Sequence, residues 1–245
     1  MAKVRKPIFL IGESPLVEEL GAVCHGAGFD VACNISGAPT SLPKFLKRAK
    51  IIPRNAHIAI ELTNIDISTK KRNLQALDKN LSSSTIILTS SVTVTATEQA
   101  TWIKHPQRLS GICALPGLLN TKLIEAAPTV HTERAFISQA QEFFMQLGKE
   151  VAVVQDRVGM VMPRILCMLI NEASFAVMDG IATPNDIDTA MKLGTNYPFG
   201  PIEWADRIGM PQVLAVLEAI HRDLGEERYR IAPLLRQLAT GTKWW

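Results

Sequence analysis

The sequence lacks a long apolar run, a charge excess and any grouping of its cysteines. The basic start Lys3-Val-Arg-Lys6 precedes only Ile8-Phe-Leu-Ile11, which is too short for a signal-peptide core and far too short to cross a membrane. That run reads as a first buried strand. A formal charge of +3 over 245 residues is too small to imply nucleic acid or a membrane surface as partner. Cys24, Cys33, Cys113 and Cys167 form no C-x-x-C pair and have no companion histidine cluster, so reduced thiols in the cytoplasm are favoured over disulfides or a metal site. No internal repeat or low-complexity stretch is present. At 47% hydrophobic and 20% charged, the chain can bury one large core or two modest ones.

Short apolar runs alternate with helical patterns through the first half, as in a parallel sheet with crossover helices. Strands are expected at Ile8–Ile11, Val31–Ile35, His57–Leu62, Thr85–Thr89, Leu109–Cys113 and Glu150–Val154, with helices at Pro15–Ala27, Ser68–Lys79 and Ala135–Leu147. The pattern changes near Asp156. Beyond it, Met160–Asp179, Pro184–Leu193, Ile202–Ile208 and Pro211–Leu224 have helical spacing and are separated by Gly and Pro. The expected architecture is an α/β domain over 1–155 and a helical domain over 156–245.

A strand, then Gly12-Glu-Ser-Pro-Leu-Val17, then a helix stands where a dinucleotide-binding fold carries G-x-G-x-x-G. Gly12 is kept, but Ser14 and Val17 occupy the second and third glycine positions. The second glycine lets backbone approach the pyrophosphate, and the third lets helix and strand pack closely. Pro15 removes an N–H from the helix start, while Ser14 and Pro15 make a good N-cap and N1 pair. A carboxylate for the ribose is expected about twenty residues on. Here the second strand ends Val31-Ala-Cys-Asn-Ile35, the next acidic residue after Asp30 is Glu61, and no adjacent Arg supports Asn34 in a 2′-phosphate site. A capped helix that binds nothing is the favoured reading, with Gly12 and Ser14 as contacts if a cofactor does bind.

Four segments of the second half, Asp156-Arg-Val-Gly159, Asn171-Glu-Ala173, Asp186–Gly194 and Tyr197–Gly209, resemble the carboxyl-terminal domain of the 3-hydroxyacyl-CoA dehydrogenases, and a weaker resemblance extends over most of the chain. The resemblance implies a Rossmann-like parallel-sheet domain followed by an all-α dimerisation domain of the 6-phosphogluconate dehydrogenase C-terminal-like type. It also implies NAD as cofactor, an acyl-CoA ligand, fatty acid metabolism and a homodimer through residues 160–209. Met162, Ile165, Leu166, Leu169 and Phe175 are more apolar positions than one small core needs. Leu238–Trp245 resembles the start of the family's closing segment.

The family pattern can be laid on Thr89–Gly209 without a gap. Where the family supplies a serine to the substrate oxygen, Thr89-Ser-Ser-Val92 ends in Val92; where its catalytic His stands, Gly111-Ile-Cys113 has Cys113. Glu125, in Leu123-Ile-Glu125, matches the carboxylate that orients that His, and the substrate-binding Asn is replaced by Pro163 before Arg164. Glu61 at the third strand, Lys70 in the following helix and Ser90 resemble cofactor positions, although Lys70 on its own reads as a solvated charge. A thiol with a reference pKa near ~8.5 beside a carboxylate is a poor base. Val92 and Pro163 offer no side-chain hydrogen bond.

The family's helical hairpin between the second and third strands has no counterpart in Ser36–Asn55, where Leu42–Ile51 reads as one short helix with Lys44, Lys47, Arg48 and Lys50 on a solvated face. Three functions follow. One is a divergent family member impaired as a dehydrogenase, with weak or absent NAD binding, acting through a dimer or partner. The second is an active NAD(P)-dependent oxidoreductase with an altered site using Cys113 or a recruited serine, and the third is a non-redox acyl-CoA binder.

Overall fold

The computed structural model describes residues 6–36, 42–241 and 244. They divide into two compact units, Met1–Met160 and Val161–Trp245. The first runs β1 (Pro7–Glu13), α1 (Leu16–Gly26), β2 (Asp30–Ser36), β3 (Leu46–Arg48), β4 (Ile58–Leu62), α2 (Ile67–Asn80), β5 (Ile86–Ser90), α3 (Ala96–Ala100), β6 (Leu109–Ile112), β7 (Leu123–Pro128), α4 (Arg134–Gln146) and β8 (Glu150–Val153). Its strands form one sheet in the order β3-β2-β1-β4-β5-β6-β7-β8, parallel throughout except between β6 and β7.

Both faces of this sheet are covered, which is why its central strands are apolar at consecutive positions instead of alternating. Ile8 and Leu10 of β1 join Leu16, Leu20, Phe143 and Phe144 on one face. Phe9 and Ile11 join Leu74, Leu77 and Ile87 on the other. From β1 the chain moves outward through β2 and β3, then returns to place β4 on the opposite side of β1. The strand order thus reverses between β1 and β4, and the space beyond their carboxyl ends is where the ligand crevice of such sheets usually lies. Gly12 closes its floor: its φ is +154°, and a Cβ there would run into the Leu62 carbonyl.

The expected strands and helices are present, and several elements differ from the sequence reading. Leu42–Ile51 forms no helix. It contains β3, an edge strand paired with β2 through Val31↔Leu46, because Leu46 is buried and packs over Gly21 of α1. Among the described residues no helix lies between β2 and β4. Absent from the sequence reading are the strand β7 and the helix α3, whose five residues are too few for periodicity to reveal.

The second unit comprises α5 (Met162–Met178), α6 (Pro184–Thr195), α7 (Pro201–Ile208), α8 (Met210–Leu224) and α9 (Pro233–Leu238). Each carries a proline in its first turn, where the missing N–H is not needed. Leu166, Ile170, Ile202, Ile208, Val213, Val216, Ile220 and Leu235 form its interior. The motif residues here hold backbone in place. Asp188 accepts from the N–H groups of Ile202 (2.8 Å) and Glu203 (3.1 Å) at the start of α7, and Asn171 bonds the carbonyl of Arg230 and the N–H of Ala232. Trp244 donates to Asp206 at 3.1 Å; Trp245 lies outside the described residues. Among the described residues no helix is long and apolar enough to cross a membrane.

Candidate functional site

Three carboxylates stand around the crevice at the end of β1. Glu13 accepts from the N–H groups of Asn64 (3.0 Å) and Ile65 (3.4 Å) in the β4–α2 turn. Glu19 accepts from the Gly117 N–H at 3.0 and 3.3 Å through its two oxygens, and burial pushes its pKa up, against the lowering effect of that bond and with the help of Glu18. Glu18 takes the Ser14 hydroxyl at 2.9 Å, while its other oxygen is buried without a hydrogen-bond partner among the described residues. Ser14 is therefore not the N-cap expected of it. Pro15 occupies that position without a side-chain cap, and Glu18 and Glu19 complement the positive helix end from its first turn.

Val17 is fully buried in the core, so the third glycine position is filled by a packed side chain. Asn34 is exposed on β2. The edge strand sets Arg48 in register with Cys33, the neighbour of Asn34 whose side chain lies on the other face of the sheet. These residues fit a nicotinamide dinucleotide poorly: backbone donors at the crevice are taken by the chain's own carboxylates, and a cofactor pyrophosphate would meet like charge.

Deeper at the ends of β4 and β5 lies a closed polar network. Glu61 is within β4 and pairs with Lys70 of α2 at 2.5 Å, both side chains fully buried. Lys70 also donates to the Thr63 carbonyl at 2.7 Å, and Glu61 accepts from Asn73 at 3.2 Å and the Thr63 N–H at 3.2 Å. The reading of Lys70 as a solvated charge is thus corrected, because α2 lays that residue against the sheet. Burial lowers its pKa, and Glu61 opposes that shift. Ser90 is fully buried and donates to Asn64 Oδ1 at 2.6 Å, while Asn64 Nδ2 donates to the Ala114 carbonyl at 2.9 Å. Gln99 joins the Ser90 and Val94 carbonyls. The Ser90 hydroxyl is consumed inside the protein.

Cys113 and Glu125 are brought together across β6 and β7, one step beyond the Ile112↔Ala126 pair. The Cys113 N–H donates to the Glu125 carbonyl at 2.9 Å, and each residue is 5% exposed. Val92 is fully buried, and its carbonyl accepts from the Gly159 N–H at 2.9 Å. Asp156 takes the N–H groups of Ala96 (2.8 Å) and Thr97 (2.6 Å) at the start of α3. The histidine nearest in sequence, His105, contacts Asp78 at 3.0 Å. The sequence reading did not single out Glu13, Glu19 or Asn64. An acidic residue inside G-x-G and the acidic pair Glu18-Glu19 were the available signals.

Residues 44–157 match the NAD binding domain of 3-hydroxyacyl-CoA dehydrogenase, and residues 159–243 match the C-terminal domain of the same enzymes. The chain belongs to the 3-hydroxyacyl-CoA dehydrogenase family. β1, α1 and β2 precede the first matched range. A Bacillus subtilis relative named "Probable 3-hydroxybutyryl-CoA dehydrogenase" is 33% identical over 183 residues, which cover 75% of this chain and 64% of that protein. The match thus spans just under two thirds of that relative's length. The 3-hydroxybutyryl-CoA dehydrogenase of Bradyrhizobium diazoefficiens is 29% identical, covering 96% of this chain and 90% of its own. The crystal structure of (S)-3-hydroxybutyryl-CoA dehydrogenase from Ralstonia eutropha shares the fold, with a TM-score of 0.80 at 24% identity, covering 97% and 94% of the two chains.

Proposed function

We propose that this member of the 3-hydroxyacyl-CoA dehydrogenase family dehydrogenates hydroxyacyl-CoA slowly or not at all and acts through assembly, as a homodimer built on its helical unit or by binding a partner. The observation that carries this reading is Cys113 beside Glu125, at the place where the family has an imidazole. A positioned acid or base contributes about 10² to 10⁴ in rate, and groups acting as one unit are not additive. Val92 and Pro163 remove two further hydrogen-bonding side chains from the family's set.

Oxidation of 3-hydroxybutyryl-CoA, assayed with NAD and with NADP, should give turnover below about 0.1 per second, roughly a hundredth of an ordinary enzyme's median. Cys113→His alone should not restore activity, because Val92 and Pro163 remain. A second reading, an active oxidoreductase with an altered site, is favoured by the retained Glu125 standing next to a thiol. Turnover of several per second that disappears in Cys113→Ala would establish it and overturn the first reading. Titration with coenzyme A separates an acyl-CoA binder from a protein that acts through assembly alone.

A further inference from the structure

The crevice at the end of β1 and β4 has the donors that an anionic ligand needs. The N–H groups of Asn64 and Ile65 in one turn and of Gly117 in another are turned toward carboxylates. Those carboxylates, Glu13 and Glu19, belong to the glycine loop and the first turn of α1. A phosphate-bearing ligand in this crevice would have to displace them. It would then leave partly buried carboxylates without their N–H partners and next to its own negative charge, and both consequences oppose binding.

We infer that Glu13 and Glu19 are specificity-determining residues that close this crevice to nicotinamide dinucleotides by serving as its internal anions. Neither is required to hold the sheet together, since Gln in the same place retains a carbonyl oxygen able to accept the same N–H bonds. The inference rests on the proposed reading of the protein as a poor cofactor binder and assigns the cause to two charges. Loss of the second and third glycines is a steric cause and would be unaffected by neutralising them.

NADH and NADPH binding to the full chain is measured by calorimetry for the unmodified protein, Glu13→Gln, Glu19→Gln and the double variant, with urea unfolding to confirm that each is folded. The double variant should bind at least one of the two cofactors about tenfold or more tightly than the unmodified protein, and each single variant should account for part of the gain. Affinity of the unmodified protein should also rise between about 20 and about 300 mM salt, since screening weakens repulsion between partly exposed charges. This second arm does not depend on any variant folding. Low-micromolar binding of NADH by the unmodified protein overturns the reading of weak cofactor binding and this inference with it. Weak binding that is unchanged in the folded double variant, or a salt dependence of opposite sign, overturns the inference alone and leaves Ser14 and Val17 as the cause.

Discussion

Lys70 and Glu61 show how far one side chain depends on its setting. An ammonium group removed from water is costly unless its charge and its donors are met. Lys70 meets both conditions with Glu61 at 2.5 Å and the Thr63 carbonyl at 2.7 Å, while Glu61 has Asn73 and the Thr63 N–H as further donors. Removing one member leaves the other charge stranded. Lys70→Met should therefore lower stability by about 3–5 kcal/mol, read as a shift in the urea midpoint at unchanged m-value. A loss under about 1 kcal/mol would show that Glu61 is readily hydrated or protonated in the folded protein. The same reasoning explains Ser90 and Asn64, whose mutual bond satisfies two buried polar groups.

At the scale of elements, the end of α2 is fastened to the segment leading into β6. Asp78 accepts from the Lys104 N–H at 2.8 Å, from His105 at 3.0 Å and from Arg108 at 2.8 Å. Arg108, itself buried, also donates to the Asp78 and Ser82 carbonyls. Burial alone would raise the Asp78 pKa, but the bonds from Arg108, Lys104 and His105 outweigh it and hold the carboxyl below its ordinary 3.8. A carboxyl group depressed in the folded state contributes stability that is complete above its unfolded value and is lost as pH falls through the folded one. Asp78→Asn should be less stable than the unmodified protein at about pH 6, and the gap should narrow on acidification below 3.8. Thermal melts of both proteins across that range test this; a gap that stays constant to about pH 2.5 would mean that the charge of Asp78 contributes nothing.

At the scale of the whole molecule, the helical unit keeps apolar side chains on its surface. Ile165 is 54% exposed, Ile181 74% and Leu193 83%. Leu166, by contrast, lies in the interior and Leu169 is half-buried. Obligate interfaces are large and apolar, and the proposed homodimer would cover such residues. Light scattering at micromolar concentration should give twice the mass of one chain, and Ile165→Asp should shift the protein toward a monomer that keeps its helical circular dichroism, since that position is exposed in the single chain. A monomer in the unmodified protein removes the dimer and the main support for a role through assembly.

The sequence by itself determined the longer elements and the family, because both are written in local patterns. Consecutive apolar residues mark β1, β4 and β5, helical spacing marks α5 and α8, and the segments from Asp156 to Gly209 lie close together in the chain. It also displayed Val92, Cys113 and Pro163, since a replaced residue needs no coordinates to be seen. Only the tertiary structure decided which groups meet. Glu13 reaches an N–H 51 residues away and Glu19 one 98 residues away, because the sheet order sets the end of β1 beside that of β4 and the following turns close over both. The same order made Leu46–Arg48 an edge strand and drew Lys70 out of water. Hydrogen bonds and burial follow distance in space, and the strand order that sets those distances is decided by packing the entire sheet.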